Sequence, residues 1–235
     1  MESEAQSLAS GVVWLGRVPY SEALELQEKR VEALRARCGP ECLLLLEHPP
    51  VVTLGRSGDA RNLLLPEREL AAANIAVHRV SRGGDVTFHG PGQLVGYLIV
   101  DLARRGEPDV GRYLRAIEAA LIDALGRLGQ PAHARCGLTG VFAGEAPGAA
   151  QGGAQPRKLA SIGVGLRGWI TWHGFALNVT TDLAGFDAIV PCGLREVAMT
   201  SLAAELGAGA PTDLVARARE AVGASFEERF CLFGS

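Results

Sequence analysis

The sequence is poor in the features that mark several large functional classes. Its five cysteines, Cys38, Cys42, Cys136, Cys192 and Cys231, are odd in number, irregularly spaced and never in a Cys-x-x-Cys pair. That argues against a disulfide framework and against a structural zinc. A formal net charge of −3 excludes a generally basic nucleic-acid binder, because such proteins carry a clustered cationic surface. No stretch is long or apolar enough to span a membrane. Met1-Glu2-Ser3-Glu4-Ala5-Gln6 has neither a basic segment followed by an apolar one nor an arginine-rich amphipathic pattern, so no export or transit signal is visible. These absences lead to the expectation of a reducing, cytoplasmic compartment.

What is present fits one α/β domain covering all 235 residues, long enough to bury a core. Gly11 to Leu15 reads as a first strand, and Pro19-Tyr20-Ser21 opens a helix with the stripe Tyr20, Leu24, Gln27, Val31 and Leu34, ended by Gly39-Pro40. Cys42 to Glu47 is a continuous apolar strand, and His48-Pro49-Pro50 is a turn before the strand Val51 to Leu54. Pro66 to Asn74 reads as a short helix, and Asp109 to Leu128 is the clearest helix of the chain. Two further helices are expected from Thr200-Ser201 and Thr212-Asp213. Residues 144–156, rich in Ala, Gly, Gln and Pro, read as a mobile surface loop. His133 and Cys136 lie three apart, but two ligands do not make a metal site and none is expected.

The densest chemistry lies in Arg82-Gly83-Gly84-Asp85-Val86-Thr87-Phe88-His89-Gly90-Pro91-Gly92-Gln93, read as a loop between two strands. Glycine gives up side-chain packing so that a ligand can lie against the backbone. Gly90-Pro91-Gly92 alone is an ordinary turn, yet Arg82, Thr87, His89 and Gln93 beside it point to a contact surface.

A second informative stretch runs from Arg157 to Asn178. It reads as a hairpin turning at Arg167-Gly168, with Leu166 opposite Trp169, Gly163 opposite Trp172 and Ser161 opposite Gly174. One face is then floored by small residues, a trough suited to a slender apolar ligand. Lys158 falls on the other face with Ala160, Ile162 and Val164. There it is either a desolvated amine suited to act as a base or a strand-end lysine reaching water. Cys192, between Pro191 and Gly193, is either a small buried hydrophobe or an accessible thiol.

Taken together and in order, Arg82-Gly83-Gly84 with Thr87 and His89-Gly90-Pro91-Gly92-Gln93, then Lys158-Leu159-Ala160-Ser161-Ile162-Gly163, then His173-Gly174 with Ala176-Leu177-Asn178, and finally Pro191-Cys192-Gly193 resemble the lipoyl(octanoyl) transferases. The resemblance implies an α/β (α+β) fold, a mixed sheet flanked by helices like the catalytic domain of biotin and lipoate protein ligases. It implies an acyltransferase that moves an octanoyl group from acyl carrier protein to a lysine of lipoyl domains, in 2-oxoacid dehydrogenases and the glycine cleavage H protein. Cys192 matches the nucleophile that carries the acyl group as a thioester, and Lys158 the residue that activates it. Arg82, Gly83, Gly84, Asp85, Val86, Thr87, Phe88 and His89, with Ser161, Ile162, Gly163, Gly174, Phe175 and Ala176, match the substrate-binding positions.

No cofactor, no nucleic acid and no membrane enter this reading, and a monomer is expected. One tension is internal to it. Strict alternation puts Lys158 on the face away from the trough, so a bulge or strand end at Lys158, or an edge position reachable from both sides, is expected. Its rivals are an ATP-dependent lipoate or biotin ligase, an amidotransferase moving octanoyl between protein lysines, and an inactive acyl-binding protein. Arg56, Arg61, Arg82 and Arg157 are candidates for a basic surface facing an acidic carrier protein.

Overall fold

A computed structural model describes residues 11–144, 155–193 and 196–232. The expectations for Met1 to Gln6 and for most of the Ala/Gly-rich loop lie outside the described residues. The chain runs β1 (Val12–Arg17), α1 (Tyr20–Arg35), β2 (Cys42–Glu47), β3 (Val51–Leu54), α2 (Glu67–Ala72), β4 (Ala76–Arg79), β5 (Val86–His89) and β6 (Gln93–Ile99). It continues with α3 (Val110–Arg127), β7 (Ala132–Arg135), β8 (Leu138–Ala143), β9 (Arg157–Arg167), β10 (Ile170–Asn178), β11 (Ala198–Met199), α4 (Leu202–Leu206) and α5 (Leu214–Phe230).

The large sheet has the order β1-β2-β6-β10-β9-β8-β7, with β11 alongside β9. It is mixed: β1 is parallel to β2 and β11 to β9, and the other pairs are antiparallel. Both faces are covered, which is why β2 reads as an unbroken apolar run rather than an alternation. Leu43 and Leu45 point into a core with α3 and α5, while Leu44 and Leu46 point into a second core under α1.

Each cover helix starts and stops for a local reason. Asp109 caps α3 by accepting from Arg112 N–H (2.9 Å), and Tyr113, Ile117, Leu121, Ala124 and Leu125 bury one side of it. On α5, Phe226 is fully buried, its ring 4.9 Å from Phe175 of β10 and 5.6 Å from Phe230. The helix expected over Pro66 to Asn74 is shorter, because Asn74 turns left-handed (φ +57°).

Two expectations are corrected. The stretch from Arg82 is not loop throughout: Val86–His89 is β5, the edge of a separate three-stranded sheet ordered β4-β3-β5. Val86 and Phe88 face a third core with Leu54, Leu70 and Phe186, and Thr87 and His89 face the other way. Pairing with β3, with Val52 opposite Phe88 and Leu54 opposite Val86, makes this a strand despite its glycine-rich approach.

The hairpin also turns one residue later than expected, with Gly168 and Trp169 at its tip and Arg167 opposite Ile170. Both tip residues are left-handed, at φ +60° and +67°, as a two-residue hairpin turn of the primed type requires. The register therefore moves by two: Gly163 faces Gly174, Ser161 faces Ala176 and Gly165 faces Trp172. Because the shift is even, the same small residues still share one face.

Candidate active site

Small residues make the floor of a slot. Ser161 and Gly163 of β9, Gly174 and Ala176 of β10 and Val95 of β6 line a narrow cavity of about 50 Å³, closed by Arg82, Gly84, Asp85, Thr87 and His89 from the β4–β5 side and by Tyr20 from α1. A side chain at Gly174 would place its Cβ 2.2 Å from the Gly96 carbonyl oxygen, so the sheet itself forbids a bulkier floor there. Of the residues named from sequence, Ile162 and Phe175 also line the slot. Gly83 instead ties the loop to the hairpin through its N–H to Val164 O (2.7 Å).

A bulge interrupts β9 beside Lys158, which is not itself among the residues lining the slot. Val141 of β8 pairs with Ala160 and its neighbour Phe142 pairs with Lys158, so Leu159 is the extra residue on β9. Leu159 and Ala160 both enter the core under α3, which turns Lys158 to the side of Ser161 and Gly163. This is the departure from alternation that the sequence called for. The lysine is buried at 2 % exposure, and its Nζ stands 5.7 Å from the centre of the Phe142 ring. Gly140 makes room for it. A Cβ there would lie 2.5 Å from Lys158 Cε and 2.5 Å from Ala160 O, and the φ of +132° is one that L residues rarely adopt. Gly140 N–H is held by Glu118 Oε1 (2.9 Å), a fully buried carboxylate whose other oxygen stands 3.1 Å from Arg115 Nε, outside hydrogen-bond direction.

Cys192 lies in a one-turn helix, Pro191–Gly193. That turn is fastened to the β3–α2 connection by Val190 N–H to Asn62 O (2.8 Å) and closed by Gly193 N–H to Val190 O (3.0 Å). It sits at the start of β5: a Cβ on Gly193 would be 2.9 Å from Asp85 Oδ2, and that carboxylate is held by Asn62 Nδ2 and by Asp59 N–H. Asp85 is at once a slot-lining residue and the neighbour of the cysteine turn.

The opposite end of the slot holds a polar network that joins His89, Gln93 and Asn178, recognised in the sequence, to Tyr97 and His48, which sequence reasoning gave no part in the site. His48 was read as a turn residue; its ring is fully buried, with Nδ1–H donating to Val18 O (2.7 Å). A carbonyl only accepts, so Nε2 carries the lone pair and accepts a hydrogen bond from the Tyr97 hydroxyl (2.7 Å). His89 is fixed in the same way. Gln93 Nε2 donates to Phe88 O (3.1 Å) and Asn178 Oδ1 (2.9 Å), which leaves Gln93 Oε1 to accept from His89 Nδ1–H at 2.7 Å. The chain of contacts continues through Asn178 Nδ2 to Thr200 O (2.9 Å), while Thr200 N–H donates to Lys158 O (3.0 Å).

Arg82 is turned inward, 8 % exposed, donating to Thr53 O (2.7 Å), Thr53 Oγ1 (2.8 Å) and Gly83 O (3.0 Å). Burial holds the nearby imidazoles neutral. It lowers His48 to about 4, only partly offset by the Val18 carbonyl, and lowers His173 to about 3 with help from the Arg82 charge. His89 lies well below the usual histidine value, first through burial and then through His48 and Arg82. Burial raises Tyr20 to about 12 against the pull of Arg82.

The other candidate cations are arranged differently. Arg61 pairs with Asp59 (2.5 Å) and Arg157 with Glu205 (2.9 Å), while Arg56 is exposed. Among the described residues no group of three or more His, Cys, Asp or Glu could hold a metal ion. His133 Nδ1–H donates to Gly144 O (2.9 Å), and Cys136 is exposed. No helix among the described residues is long and apolar enough to cross a membrane.

Comparison with known proteins identifies the family. A family model described as the lipoyl protein ligase A/B catalytic domain matches residues 19–226. The chain is 51% identical over 201 residues to an octanoyltransferase of Solibacter usitatus, covering 86% of this chain and 85% of that protein. It is 48% identical over 203 residues to one of Geobacter metallireducens, covering 86% of each. Among solved structures, a lipoate-protein ligase A bound with ATP superposes with TM-score 0.68 at 19% identity, covering 94% of this chain and 85% of that one. A bipartite lipoate protein ligase from Thermoplasma acidophilum gives 0.65 at 18%, covering 94% and 84%. At these identities the solved structures show the shared fold alone.

Proposed function

Because the chain belongs to the lipoyl protein ligase A/B catalytic-domain family, and within it to the octanoyltransferases, we propose that it carries octanoyl from acyl carrier protein to a lysine of lipoyl domains through a thioester on Cys192. Lipoyl-domain proteins are its acceptors, among them those of 2-oxoacid dehydrogenases and the glycine cleavage H protein. The enzyme acts in the cytoplasm, as a monomer, and without a cofactor.

The chemistry follows from the residue types. The Cys192 thiolate attacks the carrier thioester carbonyl, a new C–S bond forms, and the carrier thiol leaves with a proton. The acceptor lysine amine then attacks the enzyme thioester, an amide forms, and the Cys192 sulfur is released as leaving group. The first step exchanges one thioester for another at little cost, and the amide makes the second step downhill. A free thiol near pKa ~8.5 is only slightly ionised at neutral pH, so a buried ammonium beside the sulfur raises the reactive fraction. Lys158 is that group in this reading. Backbone N–H groups of the Pro191–Gly193 turn are suited to hold the oxyanion, a contribution of order ~3 kcal/mol where such donors have been removed.

The observation that carries the reading is the slot: a glycine and alanine floor beside the bulge that presents Lys158, with Asp85 of its wall touching the cysteine turn. Burying a chain of methylenes in it, at about 0.8 kcal/mol each, supplies several kcal/mol of affinity. The test is transfer from octanoyl carrier protein to a purified lipoyl domain with ATP omitted. Transfer without ATP is expected; strict dependence on ATP would indicate a ligase, and a requirement for an octanoylated protein as donor an amidotransferase.

A further inference from the structure

The two ends of the slot differ in chemistry. At one end Asp85 stands beside the turn that carries Cys192. β5 then runs along the wall through Thr87 to His89, whose ring lies 5.7 Å from His48 and 6.3 Å from Tyr20. Four residues of strand separate the ends, about 13 Å. An octanoyl chain has seven C–C bonds of about 1.5 Å, which staggered span about 9 Å. With the thioester sulfur and the cysteine side chain added, the chain ends where the network begins.

That end is polar and fixed. The Tyr97 hydroxyl is held by His48, whose other nitrogen is held by Val18. His173 stacks on Trp172 with ring centres 4.4 Å apart, and its backbone N–H is pinned by Gln27 Oε1 (2.8 Å). Its Nε2 is buried with no hydrogen-bond partner among the described residues. Resting on the octanoyl-transfer reading above, we propose that Tyr97, held by His48 behind it, and His173 form a polar end wall that stops the acyl chain at about eight carbons and so sets length preference.

The wall blocks, because Tyr97 and His173 are 4 % and 1 % exposed and each is held in place, Tyr97 by His48 and His173 by its stacking on Trp172. A shorter chain leaves part of the slot unfilled and loses the contacts that length would have made. Preference therefore peaks rather than rising with chain length.

The experiment compares kcat/KM for six-, eight-, ten- and twelve-carbon acyl carrier proteins with a lipoyl domain as acceptor. His173 has φ +55°, a conformation glycine adopts freely, so His173→Gly opens the wall without backbone strain. In the wild type the rate is expected to fall at ten carbons and further at twelve. In His173→Gly the twelve-to-eight ratio is expected to rise at least about tenfold, what accommodating two of the four extra methylenes is worth. Tyr97→Ala, checked by thermal melting, is expected to shift the ratio in the same direction. Equal wild-type transfer of eight and twelve carbons, or an unchanged ratio in folded variants, overturns the end wall while leaving octanoyl transfer intact. No transfer of any acyl group from carrier protein overturns the reading on which the wall rests, and the wall with it.

Discussion

Acid should unfold this protein earlier than its surface charges would suggest, because it buries neutral histidines. His48 is the clearest case. In the unfolded chain an imidazole titrates near 6.5, whereas in the fold burial pulls His48 down to about 4. A proton binds the unfolded state first, so the stability that neutral His48 contributes is whole above pH 6.5, declines as pH falls, and is gone below about 4. The gap from 6.5 to about 4, at about 1.4 kcal/mol per pH unit, corresponds to about 3 kcal/mol. His173, lowered to about 3, extends the decline further into acid. The assay is urea unfolding at intervals between pH 8 and pH 4, repeated on His48→Gln. The wild type should lose stability steadily below pH 6.5, and the variant, weaker at pH 8, should have a shallower acid limb. A flat wild-type profile between pH 7 and 5, or a His48 resonance titrating near 6.5, would refute the reasoning.

Gly140→Ala should strain the backbone by about 1–3 kcal/mol and push the Lys158 amine out of its seat, so acylation should slow, and its pH profile shift, by more than the drop in melting temperature explains. An unchanged profile would show that the seat does not matter. Phe226→Ala empties a fully buried site between Phe175 and Phe230 and should cost about 3–5 kcal/mol of stability by denaturant unfolding. Lys158→Ala should slow thioester formation yet leave more residual activity than Cys192→Ser, since the lysine tunes the attack and does not perform it; equal loss in the two would contradict that division of roles.

Much of the fold was legible where local chemistry punctuates it. β2 and β3 have the bounds their sequence gives, because Gly39-Pro40 and His48-Pro49-Pro50 break the chain around two apolar runs. The three-stranded sheet was not legible. Its strands are four residues each, and what makes Val86–His89 a strand is its pairing with β3, thirty-odd residues away, not its own composition. The hairpin register failed on one residue, since a tryptophan at φ +67° is not something propensity suggests. At the site, motif residues such as Arg82, His89, Ser161 and Gly174 were recognisable by type and order. Tyr20 and Tyr97 were not, because each falls in a run whose spacing says only that it is buried. Their signal was present all the same: a tyrosine in an otherwise apolar strand carries a hydroxyl that must be paired, and His48, at the end of a neighbouring strand, is its partner.

The central claim is that one sulfur carries the acyl group between two proteins. Intact-mass analysis after mixing the enzyme with octanoyl carrier protein alone, without acceptor, tests it most directly. The enzyme should gain the mass of one octanoyl group, mapped to the peptide containing Cys192, released by hydroxylamine, discharged by adding a lipoyl domain, and absent in Cys192→Ser. Normal turnover in Cys192→Ser, or an adduct on any other residue that discharges at the rate of catalysis, would contradict it.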